Sequence, residues 1–255
     1  MLEKSGHVPL RPHAWDPGEA SNEIDAIVGD ALDHFDGERF WPAHPMEDGA
    51  PDGNTSLYFG ATGMVWALQY LARIGATGKA YDFRPFLSRL TDANRVEFAQ
   101  RPFRRHGSLL FGDMGTDLLA MRLDPSASTA DAVFTRASAN TELPIRELMF
   151  GMPGSMLVCI FMSEMTSESR WCTLYEVQAA HLLEELGETE NGPLWTQDLS
   201  TLQRHNQQQW LGPVHGYAGN MIPLIRGWSW LPMNNAPASP TRYRALCPSM
   251  RGAAN

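Results

Sequence analysis

Leu148-Met149-Phe150-Gly151-Met152-Pro153-Gly154 runs directly into an apolar stretch, Ser155 to Met165, and that junction decides the fold. A tight glycine turn that opens an apolar helix needs the helix to be covered on every side. The same phrase occurs three more times. Ser56-Leu57-Tyr58-Phe59-Gly60-Ala61-Thr62-Gly63 precedes Met64 to Ile74, Leu109-Leu110-Phe111-Gly112-Asp113-Met114-Gly115 precedes Thr116 to Leu123, and Val214-His215-Gly216-Tyr217-Ala218-Gly219 precedes Asn220 to Ile225. With 22 glycines in the chain, about two Gly-x-x-Gly pairs arise by chance, and Gly75 to Gly78 is such a bystander. The shared flanks and the apolar helix that follows set the other four apart, and repetition of this kind outweighs any single motif. The first glycine is expected to supply a tight turn with permissive φ, and the second to let neighbouring helices crowd together.

Between the repeats lie more polar segments with helical periodicity: Phe83 to Phe98, Ser128 to Ala139, and Trp171 to Leu186, stopped by Gly187. Ahead of them, Ile24, Ile27, Val28, Ala31, Leu32 and Phe35 mark one face of an amphipathic helix with Ser21 as its N-cap. Outer amphipathic and inner apolar helices therefore alternate, as two concentric helical layers require. No run of alternating polar and apolar residues argues for a sheet. The expected organisation is an irregular segment over residues 1–20, helical repeats over 21–230, and an irregular tail over 231–255 that carries Pro232, Pro237, Pro240 and Pro248.

A formal charge of −9, with no basic cluster beyond Arg101, Arg104 and Arg105, excludes a phosphate-binding surface, so no nucleic-acid partner is expected. The polar start is unlike a secretory leader. Met156 to Met162, the longest apolar run, is too short to span a bilayer, so no transmembrane segment is expected. Three scattered cysteines, Cys159, Cys172 and Cys247, fit a reducing compartment, and the chain reads as cytoplasmic.

The four glycine phrases resemble, in order, the first four of seven repeats of the lanthionine-synthetase-C-like (LanC-like) family. The likeness spans roughly residues 20–230. It implies an all-α fold, a partial α/α toroid of about four of seven helical hairpins with its site at the mouth of the inner ring. It also implies peptide modification by thiol addition, either lanthionine cyclisation or glutathione addition to dehydroamino acids. Intact members hold zinc through Trp-Cys-x-Gly and Cys-His-Gly, which lowers a thiol's pKa. Neither phrase occurs here: Cys172 is followed by Thr173 and Cys247 by Pro248. No cofactor is therefore expected, and the chain, read as a truncated member, is expected to be inactive alone. Its partners would be a peptide or a glutathione-like thiol, with self-association through the exposed toroid edge.

Two residues stand out as a catalytic pair. His215, just before Gly216, matches a family His-Gly and suits proton transfer at the mouth of an inner helix. Glu147, four residues before Gly151, matches an acidic position facing the cavity and could orient His215; its plainer reading is a solvated carboxylate at a helix start. Asp113 reads as an N-cap, His106 as a surface-loop residue, and Met149, Met152, Met156, Met162 and Met165 as adaptable core. Trp171-Cys172 with His181 falls short of a metal set. Two alternatives accompany the enzyme: a non-catalytic module that binds a peptide or thiol, and a six-hairpin glycosidase-like domain, which would need a second carboxylate opposite Glu147.

Overall fold

Met152 to Ile160 are all buried, and Met162 with them, so the first part of the helix they form has no solvent face. The surrounding structure, a computed structural model, describes residues 14–43, 53–100, 107–198 and 207–231. Among them the chain forms eight α-helices: α1 Pro17–Asp33, α2 Ala61–Arg73, α3 Leu87–Gln100, α4 Asp113–Leu123, α5 Ala127–Ala139, α6 Met152–Thr166, α7 Ser169–Glu184 and α8 Tyr217–Arg226. The fold is predominantly helical, as expected. Two short antiparallel ladders depart from that expectation: β1 Gly187–Thr189 pairs with β2 Gly192–Leu194, and β3 Gln197–Asp198 with β4 Gln207–Gln208. The first is a hairpin closed by Glu190-Asn191, with Gly192, paired to Thr189, at φ 95° where glycine is favoured. No described helix is long and apolar enough to cross a membrane.

The chain divides into two compact units. The smaller comprises residues 1–35 and 67–81. Its helix α1 starts one turn before the expected Ser21: Asp16 is the cap, its carboxylate accepting the Gly18 and Glu19 N–H groups at 2.7 and 3.0 Å, and Pro17 opens the helix. Residues 17–20 thus belong to the helix, while 1–13 and 232–255 lie outside the described residues, as do Arg101, Arg104, Arg105 and His106. In the same unit Gln69 donates to the Tyr81 carbonyl at 2.8 Å, and Phe35 meets Tyr81 edge to face.

The larger unit, residues 36–66 and 82–255, holds the glycine turns. Helix α4 packs on α3, α5 and α6, and α6 on α5, α7 and α8. The outer helices bury a single stripe. In α7 this is Trp171, Leu174, Tyr175, Gln178, Ala179, Leu182 and Leu183, the i, i+3, i+4, i+7 pattern of an amphipathic helix. Helix α4 is polar inside. Asp113 is not the N-cap, which is Gly112, but the first helical residue; it is 2% exposed and ion-paired to Arg95 of α3 and Arg136 of α5, both at 3.3 Å. One turn on, Asp117 holds Arg136 at 2.7 Å.

Helices α2, α6 and α8 each begin inside a loop that wraps the first turn. The Ala61 and Thr62 N–H groups donate to the Asn54 and Thr55 carbonyls at 2.9 and 3.1 Å, Met152 to Ile145 at 3.4 Å, and Tyr217 and Ala218 to Trp210 and Leu211 at 2.8 and 3.2 Å. In every case the acceptor lies seven residues back, so the helix's orphan N–H groups are satisfied by the loop itself. The loop then presses on the glycines. A Cβ on Gly60, Gly63, Gly115, Gly151, Gly154, Gly216 or Gly219 would collide with the carbonyl oxygen six residues earlier. Permissive φ is not the reason for the first glycine: Gly112, Gly151 and Gly216 sit at φ −92°, −119° and −134°, open to any residue. What excludes a side chain is the close approach of backbone.

The second glycine does admit a neighbour. A Cβ on Gly115, Gly154 or Gly219 would lie 2.9, 3.3 or 3.4 Å from the Cβ of Leu57, Leu109 or Leu148, the leucine of the preceding turn. Consecutive turns are also bonded. Tyr58 N–H donates to Leu110 O at 3.0 Å, the Ser108 hydroxyl to Met149 O at 2.5 Å, and Leu148 N–H to Val214 O at 3.2 Å. The four turns therefore follow one another in chain order at one end of the inner helices.

Gly151→Ala is expected to lower unfolding free energy by about 1–3 kcal/mol, the range for forced overpacking. Gly78→Ala, where nothing lies within 4 Å, should stay within about 0.5 kcal/mol of the parent. Urea unfolding of the two variants checks this, and equal effects would reject it. A second prediction concerns α4. Burial pushes the Asp117 carboxyl up to about 6; Arg136 opposes it, Asp113 reinforces it and Arg95 opposes it. Because the folded value lies above the unfolded one, this group's contribution to stability is complete below about pH 4 and is lost as pH rises through about 6. Asp117→Asn should therefore flatten the dependence of unfolding free energy on pH between about 4 and 7 by about 1–3 kcal/mol. An unaltered slope across that range would contradict it.

Candidate functional site

The residue just before each first glycine stands at the same place in its turn: Phe59, Phe111, Phe150, His215. Their rings form a row. Phe59 lies 5.4 Å from Phe111, Phe111 stacks on Phe150 at 5.3 Å, and Phe150 stacks on the His215 imidazole at 6.2 Å with 13° between planes. Trp210, whose carbonyl takes the Tyr217 N–H, sets its ring against His215 at 5.1 Å, edge to face. The row is open at the Phe59 end, where Phe59 is 62% and Tyr58 48% exposed, and closes at Phe150. His215 is thus the one polar member of an aromatic line.

A second equivalence lies four residues before the glycine. There Ser56 and Ser108 each accept, through the hydroxyl, the N–H of the aromatic at the turn's end, Phe59 at 3.2 Å and Phe111 at 3.0 Å. Glu147 occupies this place in the third turn and does the same work, its Oε1 accepting Phe150 N–H at 2.5 Å and its Oε2 Met149 N–H at 3.0 Å. It also does more. Longer than serine and charged, it reaches across to the next turn, where its Oε2 lies 2.8 Å from His215 Nδ1. The carboxylate is wholly buried, whereas the imidazole keeps 27% of its side-chain surface.

The structure thus brings together His215 and Glu147, 68 residues apart in the chain. It corrects the plain reading of Glu147, which is no solvated carboxylate. With a carboxylate oxygen accepting at Nδ1, that nitrogen carries the proton and Nε2 is left on the ring's other edge as an acceptor. Among the described residues Glu147 is the only side chain or backbone group hydrogen-bonded to His215. This is the base-and-orienter half of a nucleophile–base–orienter arrangement.

The donor set that holds zinc in intact LanC-like members has no counterpart among the described residues. Among the described residues no three His, Cys, Asp or Glu side chains come together. Cys159 is buried inside α6, where burial pushes its thiol far up, and Cys172 is pushed up by burial and by Glu176 beside it. Neither thiol favours the thiolate that ligates a metal. Trp171, which with Cys172 begins like a ligand phrase, is core: its indole N–H donates to Thr166 at 3.0 Å. Among the described residues the other buried carboxylates, Asp113 and Asp117, turn to Arg95 and Arg136. Met149, Met152, Met156 and Met162 are buried, as expected of core, but Met165 is 40% exposed.

Set beside protein-family models, curated proteins and solved structures, the chain matches none.

Proposed function

We propose that this chain is a LanC-like protein, the amino-terminal part of an α/α toroid comprising four of its seven hairpins, and that it acts in thiol addition to a dehydroamino acid within a peptide. The observation that carries this reading is the buried Glu147 carboxylate holding His215 Nδ1 at the aromatic mouth of consecutive inner helices. His215 is the catalytic residue and Glu147 a positioning residue. Nε2 takes the proton of the incoming thiol, the sulfur bonds to Cβ as the Cα–Cβ π pair moves onto Cα, and the proton is returned to Cα. The net change is addition of S–H across the double bond, with one imidazole serving first as base and then as acid. Supporting elements are the four turns in sequence order, the His-Gly phrase, and the exposed rings of Tyr58 and Phe59 leading toward the imidazole.

Inactivity of the lone chain was expected for want of a metal to ionise the thiol. A free thiol is still largely protonated at about pH 7, so glutathione addition at that pH needs a base to take the thiol proton and tests the chain's own residues. Wild type is expected to accelerate the mass gain of a dehydroalanine peptide. His215→Ala should reduce kcat/KM by about 10²- to 10⁴-fold. Glu147→Ser keeps the turn cap that Ser56 and Ser108 provide and removes only the reach to His215. It should lower kcat about 10- to 100-fold, as loss of an orienting group does, with KM unchanged. A wild-type rate equal to the uncatalysed one would refute the enzyme. Peptide binding without turnover would then favour the non-catalytic module, which the exposed aromatic row alone can support.

A further inference from the structure

Glu147 is flanked in the chain by two residues that reach across to the turn of His215. Leu148 N–H donates to the Val214 carbonyl at 3.2 Å, and the Arg146 carbonyl accepts Asn220 Nδ2 at 2.8 Å. Val214 stands just before His215, and Asn220 lies in the first turn of α8, its own N–H donating to Gly216 O at 3.1 Å. The 2.8 Å contact between Glu147 Oε2 and His215 Nδ1 therefore has two further links beside it that join the same pair of turns. Sliding one turn past the other strains all three together.

Arg146 is held from other sides as well. Its guanidinium pairs with the Glu185 carboxylate at 2.7 and 2.8 Å and donates to Leu143 O. Gln197 of β3 donates through Nε2 to the same carbonyl that Asn220 uses, and both amide side chains are buried. A carbonyl only accepts, so the nitrogen of each amide must be the atom that faces it, and side chains fill both of its lone pairs.

The corresponding carbonyls of the earlier turns are held differently. Gly107, one residue before Ser108, gives its carbonyl to a single amide, Asn140 Nδ2 at 2.6 Å, which also reaches the Ser155 hydroxyl at 2.7 Å. Ser155 and Asn220 each stand four residues after the first glycine of their turn. Ser155 is linked to the preceding turn through Asn140, whereas Asn220 makes that link itself. Thr55, one residue before Ser56, gives its carbonyl to Thr62 of the helix that follows. Among the described residues the doubled amide grip thus occurs where the capping residue is glutamate. A serine that caps its own turn needs no aim beyond it, but a carboxylate that also meets an imidazole on the next turn does.

We infer that Asn220 and Gln197 are positioning residues for the Glu147–His215 pair. By fixing the Arg146 carbonyl they hold the carboxylate against Nδ1, which keeps the proton there and leaves Nε2 as the acceptor. Its bearing on turnover rests on the function proposed above, whereas the state of the imidazole can be read without any reaction.

The test is imidazole nitrogen NMR on histidine-labelled protein at about pH 9, above the ordinary imidazole range, with His215 assigned by its loss in His215→Ala. Wild type is expected to show His215 as a single Nδ1–H tautomer. Asn220→Ser installs the residue that α6 carries at that place. This variant and Gln197→Met should each shift both ring-nitrogen resonances of His215 toward the mixture of tautomers that a free imidazole shows. Asn140→Ser removes a buried amide of the same kind one turn earlier and should leave them unmoved, which separates positioning from a general loosening of the packing. In the thiol-addition assay Asn220→Ser should lower kcat about tenfold with KM unchanged, as loss of an orienting group does. A wild type without turnover refutes the proposed chemistry and leaves the resonances to decide this inference by themselves. A His215 that keeps one tautomer in both variants overturns it, and so does a shift in Asn140→Ser as large as that in Asn220→Ser. Should Asn220→Ser fail to fold, Gln197→Met set against Asn140→Ser decides in the same way.

Discussion

The closest constraint in this molecule is the approach of a loop carbonyl to a glycine six residues downstream, repeated at the start of every inner helix. A helix beginning in a buried layer brings N–H groups with no partner of their own, and leaving them unbonded away from water costs about 1–3 kcal/mol each. Here the preceding loop folds back far enough to accept them. That solution demands backbone where a Cβ would otherwise be, and it explains why α6 can start deep in the protein without a side-chain cap. Since Gly115, Gly154 and Gly219 also receive a leucine from the turn before, the device that ends one loop sets the position of the next.

The helices flanking α4 and α6 attach by different principles. Helices α5 and α7 lie over α6 through apolar stripes, with the Gln178 side chain donating to the Ala137 carbonyl at 2.7 Å as a polar pin. Around α4 the join is ionic, because an aspartate there faces each neighbour. A buried carboxylate next to guanidinium is weak evidence of net stability, since desolvation offsets much of the attraction. Its stronger effect is on register: Arg136 reaches both Asp113 and Asp117, and a slip of α5 by one turn would strand at least one of them.

Periodicity revealed the helices because burial writes itself into sequence as a stripe or as an apolar run. What it missed depended on other signals. The first helix starts at Asp16-Pro17 because a capping carboxylate and a proline outrank a later serine, and the hairpin after α7 turns at Glu190-Asn191 into Gly192 at positive φ, a glycine signal rather than alternation. Asp113 was beyond reach, as its partners come from helices 18 and 23 residues away in sequence. The Glu147–His215 pair occupies an intermediate position. Its two members could be named separately, but their contact follows only from neighbouring turns being neighbours in space, and the serine-for-glutamate equivalence needs the four turns aligned on their first glycine.

That equivalence bears on what Glu147 is for. In two turns a serine hydroxyl closes the loop, at small cost, by accepting one N–H. A glutamate in the third makes the same bond while carrying a charge into a site with no solvent exposure, where the desolvation penalty after relaxation is still several kcal/mol. Two backbone N–H groups offset part of it, but serine elsewhere shows that the turn does not need an anion. The gain that glutamate has over serine is reach, and its reach ends on the imidazole of the adjoining turn. A buried charge that capping alone does not require, aimed at a half-exposed histidine, is better explained by the orientation it gives that ring than by the stability it lends the loop.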